Sequence, residues 1–230
     1  MPGGGAATTL GRYKTIGWIV LIALATRLFV LQTYRMPSAS MEDSILVGDY
    51  LLAFTLSYGP FIPATNIRLP GFGSPKSGDA VVVRFPHDTE REILKRCMAG
   101  PGQTVEIRNK ILYLDGKRTV DPKKSKYIDP RVLPKESPDG VRDNYGPVTI
   151  PPGHYFVIGD NRDNSDDSRF WGFVQEHDIV AKPSLVYFSW EPDPESPVYE
   201  GPGSMPAILA YNVAHFFQLV RWDRIGTVIE

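Results

Sequence analysis

An apolar run near the start restricts this chain more than any other feature. Arg12 and Lys14 precede Thr15-Ile-Gly-Trp-Ile-Val-Leu-Ile-Ala-Leu-Ala-Thr-Arg-Leu-Phe-Val-Leu-Gln-Thr-Tyr34, close to the roughly 20 residues a helix needs to cross a bilayer. Its internal charge, Arg27, lies near one end, from which a long side chain can snorkel to the headgroups. The run reads as a transmembrane anchor over residues 15–34, with residues 1–14 on the cytoplasmic side by the positive-inside rule. The competing reading is a cleavable secretory signal, with Ala23-Leu-Ala25 as a small-x-small cleavage site. The apolar continuation Leu28-Phe29-Val30-Leu31 favours the anchor, because a cleaved signal has no use for it. On either reading residues 35–230 are exported.

The exported part is patterned for strands. The 21 prolines and 21 glycines are spread along the chain, which favours short strands joined by turns and predicts a mainly β protein. Strands are expected at Tyr50 to Phe54, Ala80 to Phe85, Glu92 to Met98, Thr104 to Ile107, Ile111 to Leu114, Tyr155 to Ile158 and Leu185 to Trp190. The pair around Arg108-Asn109-Lys110 reads as a hairpin, and Asp115-Gly116 as a tight turn. Pro60 to Ser77, Asp121 to Asn144 and the linker 191–206 read as loops, and residues 104–144 as a small variable β excursion. Residues 207–222 are apolar but broken by Asn212, His215 and Gln218. They are too short and polar for a second span, and read as an amphipathic helix packed on the domain, with a membrane-surface helix as the alternative.

Several function classes are disfavoured or excluded at this level. A formal net charge of −1 without a basic cluster argues against nucleic-acid binding. Cys97 is the only cysteine, so there is no intramolecular disulfide and no structural zinc site of several cysteines. Next to Arg96 it reads as a packed strand residue rather than an activated thiolate. No metal or cofactor is expected. The sequence has no Gly-x-Ser-x-Gly elbow, no Ser-x-x-Lys of the penicillin-binding type and no His-Glu-x-x-His. None of His87, His154, His177 and His215 has a persuasive partner in sequence for a Ser-His-Asp triad.

Three segments carry groups capable of chemistry. In Tyr34-Arg-Met-Pro-Ser-Ala-Ser-Met41 an extended backbone points Ser38 and Ser40 the same way, so one can attack while the other donates to an oxyanion. The same residues also read as an ordinary serine-containing turn. In Arg91-Glu-Ile-Leu-Lys-Arg-Cys-Met98, strand alternation sets Lys95 with Ile93 and Cys97. A lysine buried there would be neutral enough to take a proton, whereas an edge-strand lysine would stay charged in water. Gly159-Asp-Asn-Arg-Asp-Asn-Ser-Asp-Asp-Ser-Arg-Phe-Trp-Gly172 lacks the spacing of a calcium loop. It is either a solvated polar loop or a self-satisfied network that fixes its neighbours.

In this order, behind an N-terminal anchor, the three segments closely resemble the bacterial type I signal peptidases. Met36-Pro-Ser-Ala-Ser-Met41 looks like that family's nucleophile motif, Leu94-Lys-Arg96 with Gly100-Pro-Gly102 like its lysine motif, and Gly159 to Gly172 like its most diagnostic signature. Gly78-Asp-Ala-Val-Val-Val83 and Arg221-Trp-Asp-Arg-Ile225 also fit, so the likeness runs from about Tyr34 to the end. The resemblance implies coiled antiparallel sheets, Ser40 as nucleophile, Lys95 as general base, and Ser38 with the Ser40 amide as oxyanion hole. It further implies that Ser165 orients Lys95, that Asp167 and Arg169 pair to hold the loop, and that Gly159 lies close to the lysine. Met36, Pro37, Met41, Ile45 and Leu94 would meet the substrate. The implied activity is removal of signal peptides from exported preproteins, cut after a small-x-small sequence. The implied protein is a cofactor-free monomer anchored once in the plasma membrane, its catalytic domain outside the cytoplasm. A processing peptidase of narrow substrate range and a catalytically silent membrane-anchored scaffold are the alternatives. Two departures stand out: Asp43-Ser-Ile45 replaces the usual Pro-Thr-Leu, and Ala181 replaces a common glycine.

Overall fold

The computed structural model describes residues 5–62 and 65–229, with side chains from Gly11 onward. Residues 1–4 of the expected cytoplasmic segment lie outside the described residues. The apolar run is divided between two elements. Helix α1 (Gly5–Phe29) stops at Phe29, and strand β1 (Leu31–Arg35) takes the rest into a sheet. The apolar part of α1, from Thr15 to Phe29, is therefore only about 15 residues, or roughly 22 Å. Among the described residues no helix is long and apolar enough to cross a membrane. The expected 15–34 span is corrected accordingly: Leu31 and Tyr34, counted toward it, are strand residues paired with Phe54 and Leu51.

The remainder is mainly β, as the prolines and glycines predict. Strands β1, β2 (Asp49–Phe54), β3 (Ala80–Phe85), β4 (Asp88–Ala99), β9 (His154–Ile158), β10 (Val174–Gln175) and β11 (Ile179–Ser189) form one antiparallel sheet ordered β1-β2-β11-β3-β4-β9-β10. The smaller sheet, β7-β6-β5-β8, comprises β5 (Thr104–Arg108), β6 (Ile111–Leu114), β7 (Lys117–Arg118) and β8 (Tyr145–Thr149). Asn109 and Lys110 turn the first hairpin with positive φ, and Asp115-Gly116, also at positive φ, turns the second. The small β excursion thus extends past residue 144. The Gly146-Pro147 pair hides β8 in the sequence, and proline is tolerated there because β8 is an edge strand.

Strand β3 shows why the sheet is buried on both faces. Ala80 and Val82 pack with Met41, Ile45 and Leu51, while Val81 and Val83 pack with Cys97, Tyr155, Val157 and Ile179. Each fully buried valine contributes about 1.5–3 kcal/mol of transfer free energy. A third cluster joins the sheets, with Met98, Phe156 and Ile158 from the large one against Val105, Ile107 and Leu112 from the small one.

The C-terminal segment does not pack as expected. Residues 205–219 form helices α3 (Met205–Ala214) and α4 (Phe216–Leu219), and neither has a buried residue. The sequence Pro-Ala-Ile-Leu-Ala is apolar on every side and provides no single stripe to press on the domain. The residues beyond α4 are, by contrast, firmly docked. Fully buried Asp49 accepts hydrogen bonds from Ser189 Oγ (2.6 Å) and the Leu46 amide (2.9 Å) and pairs with Arg224, which also donates to the Ser44 carbonyl. Arg221 donates to Ser189 Oγ and to the carbonyls of Val47 and Trp190. The two arginines clamp the loop that leaves the Ser38–Ser40 segment. Because Arg224→Met would strand a buried carboxylate, it is expected to cost about 3 kcal/mol in urea-unfolding stability; a change below about 1 kcal/mol would show that Arg221 and Ser189 suffice.

Candidate active site

The Ser38–Ser40 segment is shaped by what lies under it. Ser38 is extended (φ −127°, ψ 156°), and Ala39–Met41 make one 3-10 turn. Met41 and Ile45 are wholly buried, so they hold this turn on the core and do not reach the cleft as substrate contacts. Ser38 Oγ and Ser40 Oγ are 3.2 Å apart. The Ser40 carbonyl accepts from the Asn161 amide (3.0 Å), and the Ala39 carbonyl from Asn161 Nδ2 (3.3 Å). The first amides of a helical turn have no partner within it, so the Ser40 N–H is a suitable oxyanion donor.

Lys95 sits in β4, hydrogen-bonded on both sides by β3 and β9, and is only 4% exposed. Val81, opposite it in the ladder, and its alternate neighbours Ile93 and Cys97 all belong to one apolar cluster. Burial in these surroundings lowers its pKa to about 8, against the opposing pull of Asp167 and Asp166. Lys95 Nζ donates to Ser165 Oγ at 3.0 Å. Cys97 in the same strand has its thiol pushed up to about 12 by burial, which makes it inert.

The loop after β9 holds this lysine in place. Asp167 is fully buried and caps helix α2 (Ser168–Trp171) by accepting from the Arg169 amide at 3.2 Å. It also accepts from Arg169 Nε and Nη2, both at 2.8 Å, and from the Gly159 amide at 3.0 Å. Burial opposes its charge, but the Arg169 guanidinium and these hydrogen bonds prevail and keep the carboxyl below its usual range. A side chain at Gly159 would collide with Ser165 Oγ and the Ser40 carbonyl oxygen, so glycine here sets the distance between the two halves of the site. One strand residue further on, Arg96 binds Asp160 through Nε (2.8 Å) and Nη2 (2.6 Å) and donates to the Gly78 carbonyl.

Ser40 and Lys95 open into one cleft of about 260 Å³, which Ser38, Met36, Pro37 and Leu94 also line. That is room for an extended peptide with small side chains rather than a folded ligand. Sequence reasoning did not identify Tyr34, Leu51, Val82 and Glu92 as lining this cleft. Strand alternation at Tyr34 and Met36 was the available signal, but it lay at the end of the supposed membrane run. Asn161 and the Arg96–Asp160 pair were also missed, because their partners are remote in sequence. Among the described residues no histidine lines the cleft. Among the described residues no group of three or more His, Cys, Asp or Glu side chains could hold a metal ion.

The family described as signal peptidase, peptidase S26, matches residues 10–190. A signal peptidase I of Pseudomonas aeruginosa is 31% identical over 207 residues, covering 77% of this chain and 71% of that protein. One from Rickettsia canadensis is 31% identical over 215 residues, covering 79% and 81%. A solved signal peptidase I chain from Enterococcus faecalis V583 is 28% identical and covers 48% of this chain and 97% of its own; the TM-score, 0.38, is too low to bear on the fold. The geometry gives a direct prediction. Gly159→Ala is expected to lower kcat about 100-fold, as a displacement near 1 Å can do, and to lower the unfolding midpoint too, because the added Cβ meets the Ser40 carbonyl oxygen in a buried site; near-normal turnover would mean that Ser165 and Ser40 tolerate being moved apart.

Proposed function

The chain belongs to the signal peptidase family, peptidase S26, and on that footing we propose that it cuts signal peptides from exported preproteins with a Ser40/Lys95 dyad. The observation that carries this reading is the buried Lys95 ammonium group, hydrogen-bonded to Ser165 and opening into the cleft that holds Ser40. A base must be neutral to take a proton, and burial makes the neutral form accessible near physiological pH.

Lys95 Nζ removes the proton from Ser40 Oγ as that oxygen attacks the carbonyl carbon of the scissile bond. The tetrahedral oxyanion receives hydrogen bonds from the Ser38 hydroxyl and the Ser40 amide. Lys95 then returns its proton to the departing amine, leaving an acyl-enzyme on Ser40. The Lys95 amine then deprotonates a water that attacks the acyl carbon, and returns that proton to Ser40 Oγ as the ester bond breaks. The preprotein lies extended in the cleft, whose Met36, Pro37 and Leu94 walls admit small side chains beside the cut. Met41 and Ile45 act from below by packing. Helix α1 exposes Trp18, Ile19, Leu21 and Ile22 and keeps the domain at a bilayer, where such substrates arrive.

Ser40→Ala and Lys95→Met are each expected to lower kcat/KM for a purified preprotein by at least about 1,000-fold while the fold persists; near-normal cleavage by either would exclude the dyad. With Lys95 titrating near 8, kcat/KM should rise about tenfold per pH unit below that value and level off above it. A profile flat from pH 6 to 9 would contradict a base that titrates near 8.

A further inference from the structure

Where the resembled family has Pro-Thr-Leu after the nucleophile motif, this chain has Asp43-Ser-Ile45, in a backbone conformation that proline cannot adopt. Asp43 adopts φ +75°, a left-handed conformation closed to proline and unfavourable for any residue with a Cβ. Glu42 and Asp43 are moreover adjacent like charges in the turn at residues 42–44 that follows the nucleophile. An isolated turn of this kind would be pushed open by strain and repulsion together.

One residue of the supposedly variable excursion meets it. Lys126 Nζ lies 3.3 Å from Glu42 Oε2 and 3.4 Å from Asp43 Oδ1, and among the described residues it is the only cation that forms a salt bridge with either. Its backbone is fixed independently: the Lys126 amide donates to the Asp160 carbonyl (2.7 Å), the Arg162 amide donates to the Lys126 carbonyl (2.8 Å), and Lys126 forms a parallel bridge with Asn161. Asn161 in turn donates to Glu42, to the Ala39 carbonyl and, from its backbone, to the Ser40 carbonyl. The Lys126 ammonium thus closes a ring that runs from the nucleophile turn through the Gly159–Gly172 loop and back.

We propose that Lys126 is a positioning residue for the reaction: by bridging Glu42 and Asp43 it holds the strained turn that aims Ser40. This rests on the reading of Ser40 as nucleophile. Lys126 does not touch the cleft, so it acts on turnover rather than on peptide affinity. Its ion pairs are partly exposed and hence open to screening by salt.

The test compares preprotein cleavage by wild type, Lys126→Met, Lys126→Arg, Asp43→Gly and the Asp43→Gly/Lys126→Met double variant, with Ser40→Ala as reference. Lys126→Met is expected to lower kcat about fivefold at low salt with KM and the unfolding midpoint unchanged, and Lys126→Arg to restore it. Raising salt to about 1 M, where the Debye length is about 3 Å, should slow the wild type by a similar factor and leave Lys126→Met unaffected. Glycine accepts φ +75° and removes one of the two charges. In the Asp43→Gly background, loss of Lys126 should therefore have less than half its wild-type effect. Unchanged kcat in Lys126→Met, or an equal loss in both backgrounds, would overturn the proposal, as would a fall in activity that merely tracks a fall in stability. An active Ser40→Ala would instead remove the nucleophile reading beneath it.

Discussion

The site depends on a lysine that the fold denies water. Lys95 lies in β4, an interior strand of a seven-stranded sheet that β3 and β9 flank, and the residues alternating with it belong to an apolar cluster. An ammonium group in that place is costly, and the cost favours the neutral amine that the proposed role as base requires. The surrounding polar groups are arranged so that the compensation stays incomplete. The Asp167 carboxylate is engaged by Arg169 and the Gly159 amide, and the contact the amine itself makes is a neutral hydroxyl, Ser165.

That arrangement explains why the loop from Gly159 to Gly172 is dense in charge yet serves as a scaffold. Asp160 reaches Arg96, next to Lys95; Asn161 reaches the carbonyls around Ser40; and Asp163 accepts from Lys110 at 2.7 Å and from the Asp129 amide. Residues 160, 161 and 163 thereby tie the lysine strand, the Ser40 turn and the small sheet to one backbone. The small sheet is part of the active-site frame as well as an appendage, and the shared apolar cluster of Phe156, Ile158, Val105 and Leu112 holds it there.

Much of this was legible in sequence where burial imposes a pattern. The runs at 80–85, 104–107 and 111–114 reappear as β3, β5 and β6, because alternation and turn residues such as Asp115-Gly116 act locally. Strand β1 was missed for a physical reason: apolar residues of a sheet edge continue directly from an apolar helix, and periodicity does not mark Val30 as the join. The C-terminal segment, expected as one packed amphipathic helix over 207–222, is two helices ending at Leu219, and the lack of a single apolar stripe in the first leaves it exposed. In the site, the residue types of Ser40 and Lys95 were visible, but each was ambiguous alone. What decides between a base and a surface lysine is burial by strands about 15 and 60 residues away in sequence, and no local pattern contains it.

The central claim is that Lys95 is a base before substrate arrives, and its ionisation can be observed directly. Lysine side-chain NMR on the Ser40→Ala protein, with Lys95→Met identifying the resonance, should show one lysine titrating near 8, well below its ordinary value. A Lys95 resonance that remains charged to about pH 10, the ordinary lysine range, would contradict that claim, because the amine would then be unable to accept the Ser40 proton at the pH where the enzyme works.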